Sequence, residues 1–225
     1  MMAQQNGLSK MGGVGLVVYG AMSLAGGVVD FAAGPPPRSG RDILAWIGAH
    51  ERLLAFPSEL LFFEAAFLVP GTVALYHSLA ATDRAKAAAG SGILAVAISV
   101  MALVAIVHGR LVYPVHGIRV DTPDIAAFVV ALYFGGLHAI SLLLGVAIVL
   151  LGLALRRGVL GQGIAYPGFI AAALAVLGAY PHVIGPIPTL ACQAAVAVWF
   201  VAVGLRLYKV GGAALPPTPD RQATA

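Results

Sequence analysis

Residues 58–80 read SELLFFEAAFLVPGTVALYHSLA, and the reading of this stretch decides the fold class. A helix crosses the hydrocarbon core of a bilayer with about 20 predominantly apolar residues, and this run meets that length with two carboxyl groups inside it, Glu59 and Glu64. The composition agrees: 60% of the chain is hydrophobic and 10% charged, whereas a soluble domain carries roughly a quarter charged residues. The mean hydropathy is +0.94. The chain therefore reads as an integral membrane protein built of helices.

Comparable apolar runs lie at residues 12–33, 88–109, 124–155, 164–184 and 189–207. With 58–81 they predict an all-α bundle of six transmembrane helices occupying residues 1–210. The fourth run is too long for one upright span and contains Gly135-Gly136, so the expectation is a tilted helix, a broken one, or a short surface helix ahead of it, and a seventh crossing stays open. Between the first two runs, Ile43, Trp46, Ile47, Leu53 and Leu54 recur at helical spacing within 42–56. This predicts an interfacial amphipathic helix with Trp46 at headgroup depth and Pro57-Ser58 turning the chain into the second span, Ser58 as its cap. Residues 211–225, rich in Gly, Pro and polar groups, read as a disordered tail.

Basic residues favour cytoplasmic loops. Six spans place Lys10, Arg84, Lys86, Arg156, Arg157, Arg206, Lys209 and Arg221 on one side, and Arg38, Arg41, Arg52, Arg110 and Arg119 on the other. The expected location is the cell membrane, multi-pass, with both termini cytoplasmic. The formal charge of +4 is then an orientation signal without the clustered basic face of a nucleic-acid binder, and nucleic acid is rejected as a partner. Membrane lipid and a hydrophobic small molecule are the expected ones. The lone Cys192 excludes an intrachain disulfide.

An acid inside a membrane helix is costly and marks a functional site by default. Six residues past Ser58 at 1.5 Å each, Glu64 lies about 9 Å into the span. Glu59 stays near its start, where the helix dipole favours an acid. The two are about 140° apart around the helix and cannot form one carboxylate face. On the first run Gly12, Tyr19, Ser23, Gly26 and Asp30 fall in one stripe, which turns Asp30 toward the bundle. The fourth run aligns Phe134, His138, Ser141, Gly145 and Gly152. Pro70-Gly71 is expected to bend the second span below Glu64. The outer ends of the runs also gather His108, Arg110, Tyr113, His116, Arg119 and His182, which predicts a cavity with a polar roof and an apolar floor.

That inventory gives Glu64, Glu59 and Asp30 as candidate proton donors. Phe63, Phe67, Tyr19, Tyr113, His138 and Trp46 are candidate groups around a substrate, where aromatic faces would stabilise a developing cation. No cofactor or metal is expected: His50-Glu51 lacks the second histidine of a HExxH zinc site, no helix carries a pair of haem-ligating histidines, and the glycine-rich MGGVG and GQG lack nucleotide-binding spacing. Arg110 and Arg119 read as interface anchors, or as ligands of an anionic head group.

The stretches LGLALRRGVLGQGIAYPGFIAAALAVLGAY at 151–180 and VWFVAVGLRLYK at 198–209 resemble those of small multi-pass membrane proteins of high-GC actinobacteria. Proteins of this size and hydropathy are similar to the bacterial membrane terpene cyclases of prenylated cyclodipeptide and meroterpenoid pathways. That resemblance implies cofactor-independent, proton-initiated cyclisation of an isoprenoid substrate by membrane-embedded acids, with Glu64, Glu59 and Asp30 the residues available for it. The alternative from the same residues is a lipid-binding protein or a proton-coupled carrier of a small amphipathic molecule.

Overall fold

The chain was analysed as a computed structural model that describes residues 2–157 and 160–212; the part of the expected tail at 213–225 lies outside the described residues. Among these residues the regular structure is helical: α1 (Met2–Ala33), α2 (Gly40–Val112), α3 (Pro123–Leu155), α4 (Gln162–Gly178), α5 (Pro181–Ile184) and α6 (Pro186–Gly212). Four of them, α1, α2, α3 and α6, are long and apolar enough to cross a membrane, and α4 is a shorter apolar helix of 17 residues. The protein is an all-α membrane protein.

At 73 residues, α2 would measure about 110 Å if straight, several membrane thicknesses. It is divided by non-helical backbone at His50 (φ −121°, ψ 20°) and Asp83 (φ −153°, ψ 91°). The break at Asp83 folds segment 84–112 back along 51–82, so that Ser58 Oγ donates a 3.1 Å hydrogen bond to the Ala105 carbonyl. Asp83 caps the returning helix. Its Oδ1 accepts the Lys86 amide at 3.1 Å, and its other oxygen pairs with the Lys86 ammonium. These hydrogen bonds, above all the side-chain bond to Lys86, hold the Asp83 carboxyl below its ordinary pKa. A depressed carboxyl stabilises the fold above its unfolded-state pKa, about 3.9, and loses that contribution as pH falls through the lower folded value. Protection of the Lys86 amide, its exchange rate relative to the intrinsic rate at the same pH, is accordingly expected to fall on acidification below about pH 4, and Asp83→Ala should show the low protection already at neutral pH.

The helices form a closed ring. α1 packs on 51–82 and on α6; 84–112 packs on α3, α3 on α4, and α4 on α6. A row of close approaches through glycine makes this possible, because small residues let membrane helices come near without a hydrophobic driving force. On one side of α1, Gly12 and Gly15 lie against Pro70 and the Phe67 carbonyl. On the other, Gly13, Gly20 and Gly27 recur every seventh residue against α6. A methyl group at Gly13 would sit 2.7 Å from the Gly204 carbonyl oxygen, and one at Gly20 would sit 2.6 Å from that of Ala197. Both neighbours are backbone and cannot move aside. Gly13→Val is expected to cost at least the 1–3 kcal/mol of an overpacked core, on the order of what a marginal bundle can lose, read as a lower melting temperature in detergent.

The core is filled by Leu16, Tyr19, Leu68, Leu75, Leu94, Met101, Ile148, Leu151 and Phe200, each 2% exposed or less. Large apolar side chains such as Phe62, Leu103, Ile106, Phe128, Ile170 and Val198 are exposed on the outside of the ring. An apolar exterior of this kind is what lipid contacts.

Several expectations are corrected. The surface segment between the first two spans begins at Gly40, with Ser39 Oγ accepting the Asp42 amide, and ends in the break at His50; helical backbone continues through Pro57, whose fixed φ suits a helix. Ser58 is therefore a cross-helix donor and not a cap, and Glu59 is not a first-turn acid. Pro70-Gly71 produces no non-helical backbone. α3 runs unbroken through Gly135-Gly136, where Gly136 admits Val104 of the neighbouring segment. The segment 40–50 does present one apolar side: Ile43 and Ile47 are buried with Ala33, Leu111, Val112, Ala126 and Val130, closing one end of the ring. The two ends of the described chain meet at the opposite end, where Gly211 lies against Asn6 and Ser9.

Candidate functional site

Two acids from different helices converge inside the ring. Gly26 of α1 leaves room for Glu64, whose Oε1 lies 3.5 Å from where a Cβ at Gly26 would be; Glu64 is 6% exposed. Asp30 stands one helical turn beyond Gly26 on the same face, within electrostatic range of Glu64. The stripe on α1 thus faces Glu64 at Gly26, where the glycine clears the space into which the facing carboxyl projects.

Tyr133 of α3 completes the group. Its hydroxyl donates to Asp30 Oδ2 at 3.2 Å, and its ring stacks on His108 with centroids 4.1 Å apart and planes at 30°. His108 is 1% exposed, and its Nδ1 is buried without a hydrogen-bond partner among the described residues. On the other flank Tyr19, 2% exposed, meets Phe200 edge-on at 4.8 Å and lies within electrostatic range of Glu64. Gln193 of α6 donates to the Ser23 carbonyl at 3.3 Å. Among the described residues no cation pairs with either acid. Two uncompensated negative charges in such surroundings are expensive. The arrangement can hold a proton and hand it on.

The other expected residues fall elsewhere. Glu59 is exposed at the closed end of the ring beside Tyr113; partial burial, and then the Glu59 carboxylate, push the Tyr113 hydroxyl above its ordinary pKa. Phe63 and Phe67 are 46% and 37% exposed; Phe67, three residues on from Glu64, shares its side of the helix, while Phe63 is turned about 100° away. His138 fastens α3 to α4: its Nδ1 lies 2.7 Å from the Ala179 carbonyl, which can only accept, so Nδ1 carries the proton. Trp46 donates to the Ala33 carbonyl at 3.1 Å and ties segment 40–50 to the end of α1. Tyr133 and His108 were the members that the stripe analysis did not select.

Two clefts open on the surface. One, of about 180 Å³, lies at the closed end between segment 40–50 and the 110–120 region; the other, of about 270 Å³, is an apolar groove between α4 and α6 beside Trp199. Neither of these two is lined by Asp30 or Glu64. No three His, Cys, Asp or Glu side chains gather as a metal-binding group among the described residues. In comparisons with known proteins, no family model, no curated protein and no solved structure matches this chain.

Proposed function

We propose that the protein exchanges a proton at the Asp30/Glu64 pair within the membrane, and that this proton initiates cyclisation of an isoprenoid chain without a cofactor. The carrying observation is the convergence of a buried carboxyl, Glu64, and a part-buried one, Asp30, the latter hydrogen-bonded to Tyr133, between the helices of an apolar ring. Protonation of an alkene or epoxide needs an acid shielded from water, which burial supplies, and electron-rich faces near the developing cation, for which Tyr19 and Tyr133 are the nearest candidates. Glu64 is the principal donor in this reading, with Asp30 bearing the second carboxyl. We place the chain in the cell membrane with six crossings and both termini cytoplasmic, the side that collects Arg84, Lys86, Arg156 and Arg157.

The test is to incubate membranes containing wild type or Glu64→Gln with farnesylated acceptors and to look by mass spectrometry for products of unchanged mass and altered retention. Isomerised product from wild type alone supports the assignment. A second reading, a proton-coupled carrier of a small amphipathic molecule, is favoured by the fact that both clefts described above lie away from the acids. It predicts uptake into proteoliposomes that follows an imposed pH gradient with no chemical change to the substrate.

A further inference from the structure

We propose that the 180 Å³ cleft at the closed end of the ring binds the phosphate head of an anionic amphiphile, with Arg110 and Arg119 as its ligands. One wall is aliphatic, from Leu44 and Ile47 of segment 40–50; the opposite wall carries Arg110, Tyr113 and Arg119. Glu51 also lines the cleft, yet the one ion pair among the described residues is Lys86 with Asp83. Neither guanidinium is within ion-pair distance of Glu51, and the lining itself carries two arginines against one glutamate, with Glu59 standing outside it beside Tyr113. Each guanidinium presents planar donors matched to phosphate oxygens.

The position of Arg119 is built. A short turn holds Val115 and Ile118 together through paired hydrogen bonds of 3.1 and 2.9 Å, with His116 at φ 49° and Gly117 at φ 80°. His116 is the one described non-glycine residue at positive φ, a conformation that costs energy in most residues. This turn directs the chain back so that Arg119 and Val120 face the cleft alongside Arg110. The volume is about six times the ~30 Å³ share of a liquid water, enough for a phosphate and the first methylenes of a chain, which would lie on Leu44 and Ile47. A site with charge on one wall and hydrocarbon on the other, at the end of a membrane bundle, fits a molecule that has both. The inference extends the reading above by naming the head group of its amphipathic substrate and rests on it for that link alone.

The experiment is calorimetric titration of the full-length protein in an uncharged maltoside detergent with two probes, dodecyl phosphate and inorganic phosphate, followed by nanodiscs of phosphatidylcholine with or without phosphatidylglycerol. Dodecyl phosphate is expected to bind saturably and at least about tenfold more tightly than inorganic phosphate, since the chain adds apolar contact. Arg119→Ala should weaken it by about tenfold or more, and Arg119→Lys by less, as a charge without the planar fork. Arg206→Ala, at the other end of the bundle, serves as the control and should bind as wild type. Competition by phosphatidylglycerol nanodiscs would identify a lipid as the source of the head group; failure to compete would identify a non-lipid phosphate ester, and either agrees with the site. Equal affinity in wild type and in the Arg110→Ala/Arg119→Ala protein, or equal affinity for the two probes, would overturn it. Arg119 is exposed in a loop, and circular dichroism checks that its variants keep their helices. Binding is read without turnover, so a negative result here leaves the carboxyl-pair reading standing, and the reverse also holds.

Discussion

Glu64→Gln is expected to lower proton-initiated turnover by roughly 10²–10⁴-fold, the range that a positioned general acid contributes, while leaving the melting temperature in detergent near that of wild type. Glutamine keeps the volume against Gly26 and the capacity to hydrogen-bond, and it removes only the transferable proton. Retention of structure matters, because a merely structural carboxyl would show the opposite pattern. Asp30→Asn should reduce turnover less if Glu64 is the donor. Tyr133→Phe leaves Asp30 without its 3.2 Å donor and should cost about 1–3 kcal/mol, the price of a buried polar group left unpaired. Wild-type turnover in Glu64→Gln would remove the pair as the proton source. For the carrier reading the same variant is diagnostic in another way: uptake should persist downhill and no longer respond to a pH gradient.

Phe200→Ala is expected to be the most destabilising single truncation, at about 3–5 kcal/mol. Phe200 is fully buried and makes edge contacts with Tyr19 at 4.8 Å and Trp199 at 5.0 Å, so its removal opens a cavity where α6 packs on α1. Phe62→Ala is the matched control. Its side chain is 54% exposed on the outer wall, where lipid replaces the lost ring, and its effect should stay within about 0.5 kcal/mol of wild type. The comparison reads packing separately from hydrophobicity, which differs little between a protein interior and a lipid tail. Thermal unfolding in one detergent, with both variants side by side, decides it; equal losses would mean that the outer wall contributes to the fold as much as the core.

The helical membrane class was legible in the sequence because run length and hydropathy report it directly, as 58–80 does. Asp30 and Glu64 were legible too, since a carboxyl in an apolar run stands out against its neighbours. What failed was the choice of face. On α3 the stripe of small and polar residues passes through Phe134 and His138, one residue from the buried positions Tyr133 and Ile140, and rejoins the buried face only at Gly145 and Gly152; a step of one residue turns a helix by 100°. His108 was gathered only with the polar groups at the outer ends of the runs, and Tyr133 was one aromatic among several; the apolar line that carries Tyr133 was the signal that joins it to Asp30. For Phe63 and Phe67, 46% and 37% exposed, the sequence left the direction open: in a bilayer an aromatic residue is as stable facing lipid as facing the core, so hydrophobicity does not say which way it points. The break at His50 in place of Pro57 was hidden because proline is compatible with helical φ, whereas nothing local marks histidine as a stop.

The helices α1 and α6, farthest apart along the described sequence, are neighbours. At about 5–20 residues per second, roughly ten to forty seconds separate the emergence of α1 from that of α6, and throughout this interval the row Gly13, Gly20 and Gly27 has only lipid against it. The ring remains an open arc until α6 arrives, so it cannot close before residues 186–212 are in the membrane. Chains cut short before residue 186 should therefore be recognised by membrane proteases as incomplete even though every preceding helix is present.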